Sequence, residues 1–133
     1  MKNSYFFLML PALILFIASC SKSSTSPGNA NFAGTYSGNI LISGISTADT
    51  ITIPASSTST IVMNSRTATG SNYSISATVS GTTLTILTSP PQTITTGLGS
   101  FTATGNGTLI NSDSLVINYL FSGHTGTFRG GKK

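Results

Sequence analysis

Few residues in this sequence are able to do chemistry. Its 133 residues include two acids, Asp49 and Asp113, one histidine, His124, and one cysteine, Cys20. General acid–base work needs titratable groups within hydrogen-bond reach of a substrate, and a metal site needs several donors at set spacing. Asp49, Asp113 and His124 show no such spacing. Ser and Thr abound, but a nucleophilic hydroxyl needs an activating base, and no Gly-x-Ser-x-Gly elbow occurs. Gly105-Asn106-Gly107 stands among alternating residues and reads as a turn or bulge, not a phosphate loop. His124 lies in Ser122-Gly123-His124-Thr125-Gly126, which reads as an exposed hairpin loop. The sequence therefore points away from an enzyme, a resident cofactor and a metal centre.

Cys20 has a different context. Lys2 is followed by an apolar run from Tyr5 to Ala18, interrupted only by Pro11. That run is shorter than the ~18 residues of a spanning helix and has the layout of a secretory signal. Ile17-Ala18-Ser19-Cys20 resembles the lipobox of bacterial lipoproteins. That resemblance implies diacylglycerol on the Cys20 thiol, removal of residues 1–19 as a signal-peptide helix, and frequent further acylation (palmitate among the chains) of the new amino terminus. As the sole cysteine, Cys20 has no disulfide partner within the chain. Two or more acyl chains hold a protein on a bilayer stably, each buried methylene contributing ~0.8 kcal/mol. Ser21 after the cysteine implies, by the same resemblance, a place in the cell envelope at the outer membrane.

Residues 20–31 read as the lipidated cysteine and a Ser-rich tether. Pro27-Gly28 and the lack of large apolar residues there suit a flexible linker, at most ~35 Å long when extended. Residues 32–133 form the folded domain. Six Lys and Arg against two acids give a net charge of +4. There is no basic stripe, so a nucleic-acid partner is not supported.

From Phe32 onward, apolar residues alternate with Ser and Thr. Tyr36, Ile40 and Ile42 share one parity, as do Ile51 and Ile53, and Ile61 and Met63. Tyr73, Ile75, Ala77 and Val79 form the cleanest run. Leu84 and Ile86, Phe101 and Ala103, then Leu115, Ile117, Tyr119 and Phe121 follow, and Phe128 ends the series. Period-two alternation predicts half-buried antiparallel strands. Ser43-Gly44, Thr69-Gly70, Ser80-Gly81, Gly97-Leu98-Gly99, Asn111-Ser112-Asp113 and Ser122-Gly123 mark the turns. Pro54 and Pro90-Pro91 mark strand ends or an edge. The expected fold is all-β, an antiparallel meander of about eight short strands. It closes as an up-and-down barrel or packs as a two-sheet sandwich. The apolar face suffices to fill a small barrel with side chains.

Phe32-Ala33-Gly34-Thr35-Tyr36 resembles the opening strand of lipocalin-like, calycin-type barrels. The final third, with Gly105-x-Gly107-x-Leu109 and Gly126-x-Phe128-Arg129-Gly130, resembles small barrels of bacterial lipoproteins. The resemblance implies that Arg129 packs across Tyr36 at the barrel base. Tyr36, Phe101, Tyr119, Phe121 and Arg129 are the expected ligand or barrel-base contacts, and an open pocket lined by the four aromatics would favour a small apolar or sugar ligand over a protein partner. The chain departs from the family in having no tryptophan. Asp49-Thr50-Ile51 and Asp113-Ser114-Leu115 are similar to acceptor sequences of bacterial O-glycosylation, which implies sugars on Thr50 and Ser114. Function is thus expected to be that of a non-catalytic, membrane-anchored binding module. The alternative is an accessory lipoprotein that docks on a larger envelope protein.

Overall fold

A computed structural model describes residue 29, residues 31–96 and residues 99–133. The signal sequence, Cys20 and most of the tether lie outside the described residues. Nine strands follow in order: β1 Gly34–Ile42, β2 Ile45–Ile53, β3 Thr60–Thr67, β4 Asn72–Ser80, β5 Thr83–Ile86, β6 Gln92–Thr96, β7 Gly99–Ile110, β8 Ser114–Phe121 and β9 His124–Lys132.

The alternation in sequence becomes alternation in burial. On β3, Ile61, Met63 and Ser65 are buried while Val62, Asn64 and Arg66 are exposed. On β8, Leu115, Ile117, Tyr119 and Phe121 are buried while Asn118 and Leu120 are exposed. Every neighbouring pair is antiparallel, and the strands run β5-β4-β3-β2-β1-β9-β8-β7, with β7 returning to β5. The sheet is therefore a closed barrel of eight strand positions, and the sandwich is excluded. β1 meets β9 over seven residue pairs from Tyr36↔Lys132 to Ile42↔Gly126.

The ninth strand is the one that alternation does not announce. β7 pairs with β5 through Asn106–Thr108 and with β6 through Gly99–Ala103. β5 and β6 thus share one strand position, interrupted around Pro90 and Pro91, where Ser89–Pro90 is cis. At the interruption the Ser76 amide donates to Gln92 Oε1 (2.7 Å) and Gln92 Nε2 donates to the Pro90 carbonyl (2.7 Å). A buried glutamine side chain thus satisfies a β4 amide and a loop carbonyl where the strand is interrupted.

Three hairpins turn on a residue pair with positive φ: Ser43-Gly44 (50° and 84°), Asn111-Ser112 (51° and 64°) and Ser122-Gly123 (47° and 94°). Such pairs match the twist of the flanking strands. His124 follows the third turn as the first residue of β9, exposed as expected but in a strand, not a loop.

Two wall glycines are demanded by close approach. A Cβ on Gly38 would lie 1.9 Å from the Arg129 carbonyl oxygen. One on Gly105, at φ +143°, would lie 2.0 Å from that of Asn118. Small barrels need such points, where a strand bends sharply enough to close the ring.

We expect Gly105→Ala to lower the unfolding free energy in urea by roughly 2–4 kcal/mol through overpacking and backbone strain. Gly44→Ala, whose Cβ meets open space, should cost about 1 kcal/mol. Equal effects would mean that Gly105 is not a bend point.

Candidate functional site

The interior has two unlike ends. The base is closed by the chain that precedes β1. Phe32 and Tyr36 are fully buried, and the Tyr36 hydroxyl donates to the Phe32 carbonyl (2.9 Å). Asn29, which the sequence placed in the tether, is buried here. Its Nδ2 donates to the Pro54 carbonyl (2.9 Å) and its Oδ1 accepts from the Ser56 amide (2.8 Å).

The expected contact of Arg129 with Tyr36 is not made. Phe128 occupies the inward parity of β9, so Arg129 points out, level with Asn39 and Val116. Lys132 regains the inward parity, and its Nζ lies 5.7 Å from the centre of the Tyr36 ring, within cation–π range. The sequence reading expected a cation there and chose the wrong residue. Burial raises the pKa of Tyr36, and the negative charge of Asp113 raises it further.

Phe101, Tyr119 and Phe121 belong to the other end, the mouth, so the four expected aromatic contacts do not form one site. Tyr119 and Phe121 stack with ring centres 4.8 Å apart. Their cross-strand partners on β7 are Gly105 and Ala103, small enough to leave the rings room. Phe101 is half-buried nearer the rim.

A polar cluster that sequence reasoning missed stands in the same half of the interior. Asp49 is 2 % exposed. The Ser65 hydroxyl donates to its carboxylate, with Oγ 2.6 and 2.8 Å from the two oxygens, and the Tyr73 hydroxyl donates at 3.2 Å. Among the described residues no cation pairs with it. The signal was present as parity. Asp49 continues the inward series of Ile53 and Ile51, and Ser65 continues that of Ile61 and Met63. Tracking apolar residues alone passes over both.

Burial pushes the pKa of Tyr73 far above its ordinary value. The charge of Asp49 and the bond to it add to the rise, and the bond from Ser65 opposes it. Tyr119 is raised by burial first, then by Tyr73 and Asp49. Both phenols therefore stay neutral at physiological pH. The cluster can hold a hydrogen-bonding group. His124 lies apart on the rim, its Nδ1 3.4 Å from Ser43 Oγ. Among the described residues no three of His, Cys, Asp or Glu come together.

On the outside, β2, β3 and β4 form an open depression of about 690 Å³. Its lining includes Thr50, Thr52, Asn64, Arg66, Asn72 and Ser74, completed by Ser65 and Tyr73. Thr50 is half-buried mid-strand, 3.5 Å from Ser37 Oγ. Ser114 is exposed where β8 begins. Of the two glycosylation-like sequences, only the one at Ser114 follows a turn; the one at Thr50 has its aspartate inside the barrel.

No family model matches the chain, and no curated protein does. Solved structures do. A redesigned β-barrel bound to DFHBI is 19% identical, with a TM-score of 0.63 over 80% of this chain and 100% of that one. A second redesigned barrel is 18% identical, with a TM-score of 0.60 over 84% and 99%. A fluorescence-activating β-barrel designed de novo is 14% identical, with a TM-score of 0.57 over 80% and 98%. The chain has the fold of these barrels, a closed antiparallel meander of eight strand positions.

The tyrosines set an alkaline limit. Their folded pKa values lie above the unfolded value near ~10, so the stability they contribute is complete below about pH 10 and is lost as pH rises through the folded values. The urea midpoint should hold between pH 7 and 9 and fall above about pH 10. Tyr73→Phe should lower stability at neutral pH by roughly 1–2 kcal/mol, because Asp49 loses a donor, and should flatten the alkaline fall. An unchanged fall would show that Tyr73 titrates as an exposed phenol.

Proposed function

We propose that the chain is a membrane-anchored envelope lipoprotein whose barrel is a non-catalytic binding module, taking a small ligand at the mouth near Asp49. The lipobox-like sequence ending at Cys20, the sole cysteine, supports the anchor at the outer membrane. The short link between Cys20 and the domain keeps the barrel close to the lipid surface.

One observation carries the binding reading. Buried Asn29 at the base and Gln92 at the strand interruption bond backbone groups, whereas Asp49, Ser65 and Tyr73 place a carboxylate and two hydroxyls together inside, in the half that holds the Tyr119–Phe121 stack. Buried polar groups cost stability, and proteins tend to break their own patterning rules at working sites. A ring with an apolar face and hydrogen-bonding substituents matches this pairing, which fits a sugar or a small hydroxylated apolar molecule. Side chains fill the barrel, so the ligand enters at the rim by displacing half-buried Tyr73 and Phe101. Two solved barrels of this fold are described as bound to DFHBI, which supports a barrel of this build as a small-molecule container.

The accessory-protein reading finds less support. The exposed large apolar side chains, Leu41, Ile45, Val62, Ile110 and Leu120, stand on five different strands. Scattered single residues of that kind do not make a docking patch.

The anchor and the site are separable by experiment. With an alkynyl palmitate label in a bacterial host, the full chain should be labelled and sediment with membranes, and Cys20→Ala should do neither. For the site, amide chemical-shift mapping of residues 20–133 against a panel of monosaccharides and small ring alcohols should move Asp49, Ser65, Tyr73 and Tyr119. Asp49→Asn should weaken that response. A panel that moves none of these amides overturns the mouth as the site.

A further inference from the structure

The outer wall carries a second arrangement with binding chemistry of its own. Strand parity sends Thr50, Arg66 and Asn72 outward in one cross-strand row, and Thr52, Asn64 and Ser74 in the next. Together they line the open depression on β2–β4, whose ~690 Å³ lies within the ~300–1,000 Å³ range of ligand clefts. Some of these groups satisfy one another. Thr52 and Thr35 hydroxyls are 3.3 Å apart, and Ser74 donates to Asn64 Oδ1 at 2.8 Å. The Arg66 guanidinium and the Asn72 amide have no partner among the described residues.

We infer that this face binds a carboxylated sugar chain, with the Arg66 guanidinium on the carboxylate and Asn72, Asn64 and Thr50 on the ring hydroxyls. A planar guanidinium fork is matched to a carboxylate by two parallel hydrogen bonds. Side-chain amides and hydroxyls supply the mixed donors and acceptors that sugar hydroxyls need. The outward side chains of the depression include no large apolar residue, which disfavours a lipid or an aromatic ligand. Its openness lets a polymer enter and leave along the wall.

The electrostatics agree. The nearest acid, Asp49, points its carboxylate into the barrel, where Ser65 and Tyr73 occupy it. With a net charge of +4, the chain does not repel an anion. One arginine without a basic stripe does not make a nucleic-acid surface. The depression adjoins the mouth cluster through Ser65 and Tyr73, but Arg66 is exposed and makes no bond to that cluster, so its loss leaves the Asp49 bonds in place.

The test is amide chemical-shift titration of residues 20–133 with three probes: a galacturonate oligomer, a neutral glucose oligomer of equal length, and inorganic phosphate. The uronate should shift the Thr50, Asn64, Arg66 and Asn72 amides and bind at least about tenfold more tightly than either other probe. Arg66→Ala should abolish that preference with the remaining spectrum unchanged, Arg66→Lys should keep part of it, and Asn72→Ala should weaken binding a few-fold. Equal affinity for the neutral oligomer, or Arg66→Ala binding like the wild type, overturns the role of Arg66. Phosphate binding as tightly as the uronate reduces the face to an anion site and overturns the sugar assignment. Shifts confined to Asp49, Tyr73 and Tyr119 would place the sugar at the mouth instead.

Discussion

Ring closure is the constraint on which the rest of this structure depends. A sheet with free edges presents rows of unpaired amides and carbonyls, and proteins usually blunt such edges with charge. This sequence has almost no charge to use: two acids and six bases in 133 residues, with strands made largely of Thr, Ile, Ser and Gly. Closure removes the edges instead. β1 meets β9 along seven pairs, and β7 meets β5 along three, with the remainder of β7 held by β6. The bends at Gly38 and Gly105 allow the ring to shut, since a side chain at either would collide with the neighbouring backbone.

Closure also creates an inside, and the inside is graded. At the base, Phe32, Tyr36 and Asn29 form a plug that the chain lays down before the first strand, with Lys132 reaching over the Tyr36 ring from the last. The first and last strands thus meet in the wall and again in the plug. Towards the other end the same inward rows change from hydrocarbon to Asp49, Ser65 and Tyr73. A carboxylate held there by two hydroxyls, with no cation beside it among the described residues, makes a net demand on stability. That demand is the ground on which the proposed ligand site at the mouth rests.

Much of this architecture was legible from period-two alternation, because each half-buried strand writes its parity into its own residues. The four-residue faces Tyr73–Val79 and Leu115–Phe121 became inward rows of β4 and β8. The Gly-containing turns became hairpins, and the prolines fell at strand ends. What escaped notice had physical reasons. β6 is short, and Ile94 is the only large apolar residue in it. Asp49 and Ser65 are inward by parity but polar by type, so a search for apolar repeats passed over them. The choice of Arg129 over Lys132 turned on a single step of parity. Barrel against sandwich depends on whether β7 finds β5, a long-range pairing that no local pattern encodes. The reading of Cys20 concerns residues outside those described, and it rests on the sequence motif alone.

The most direct test of closure is native-state hydrogen exchange along the two closing seams. If the ring is shut, amides in the β5–β7 and β1–β9 pairings, together with Leu109, which donates to the Thr82 carbonyl, open only with global unfolding. Their exchange free energies should then match those of the β1–β2 and β7–β8 hairpins, within about tenfold in protection. Protection lower by about a hundredfold or more at the β5–β7 seam, with the hairpins still protected, would show an open sheet. The two-ended interior, and the site placed at its mouth, would then fail with it.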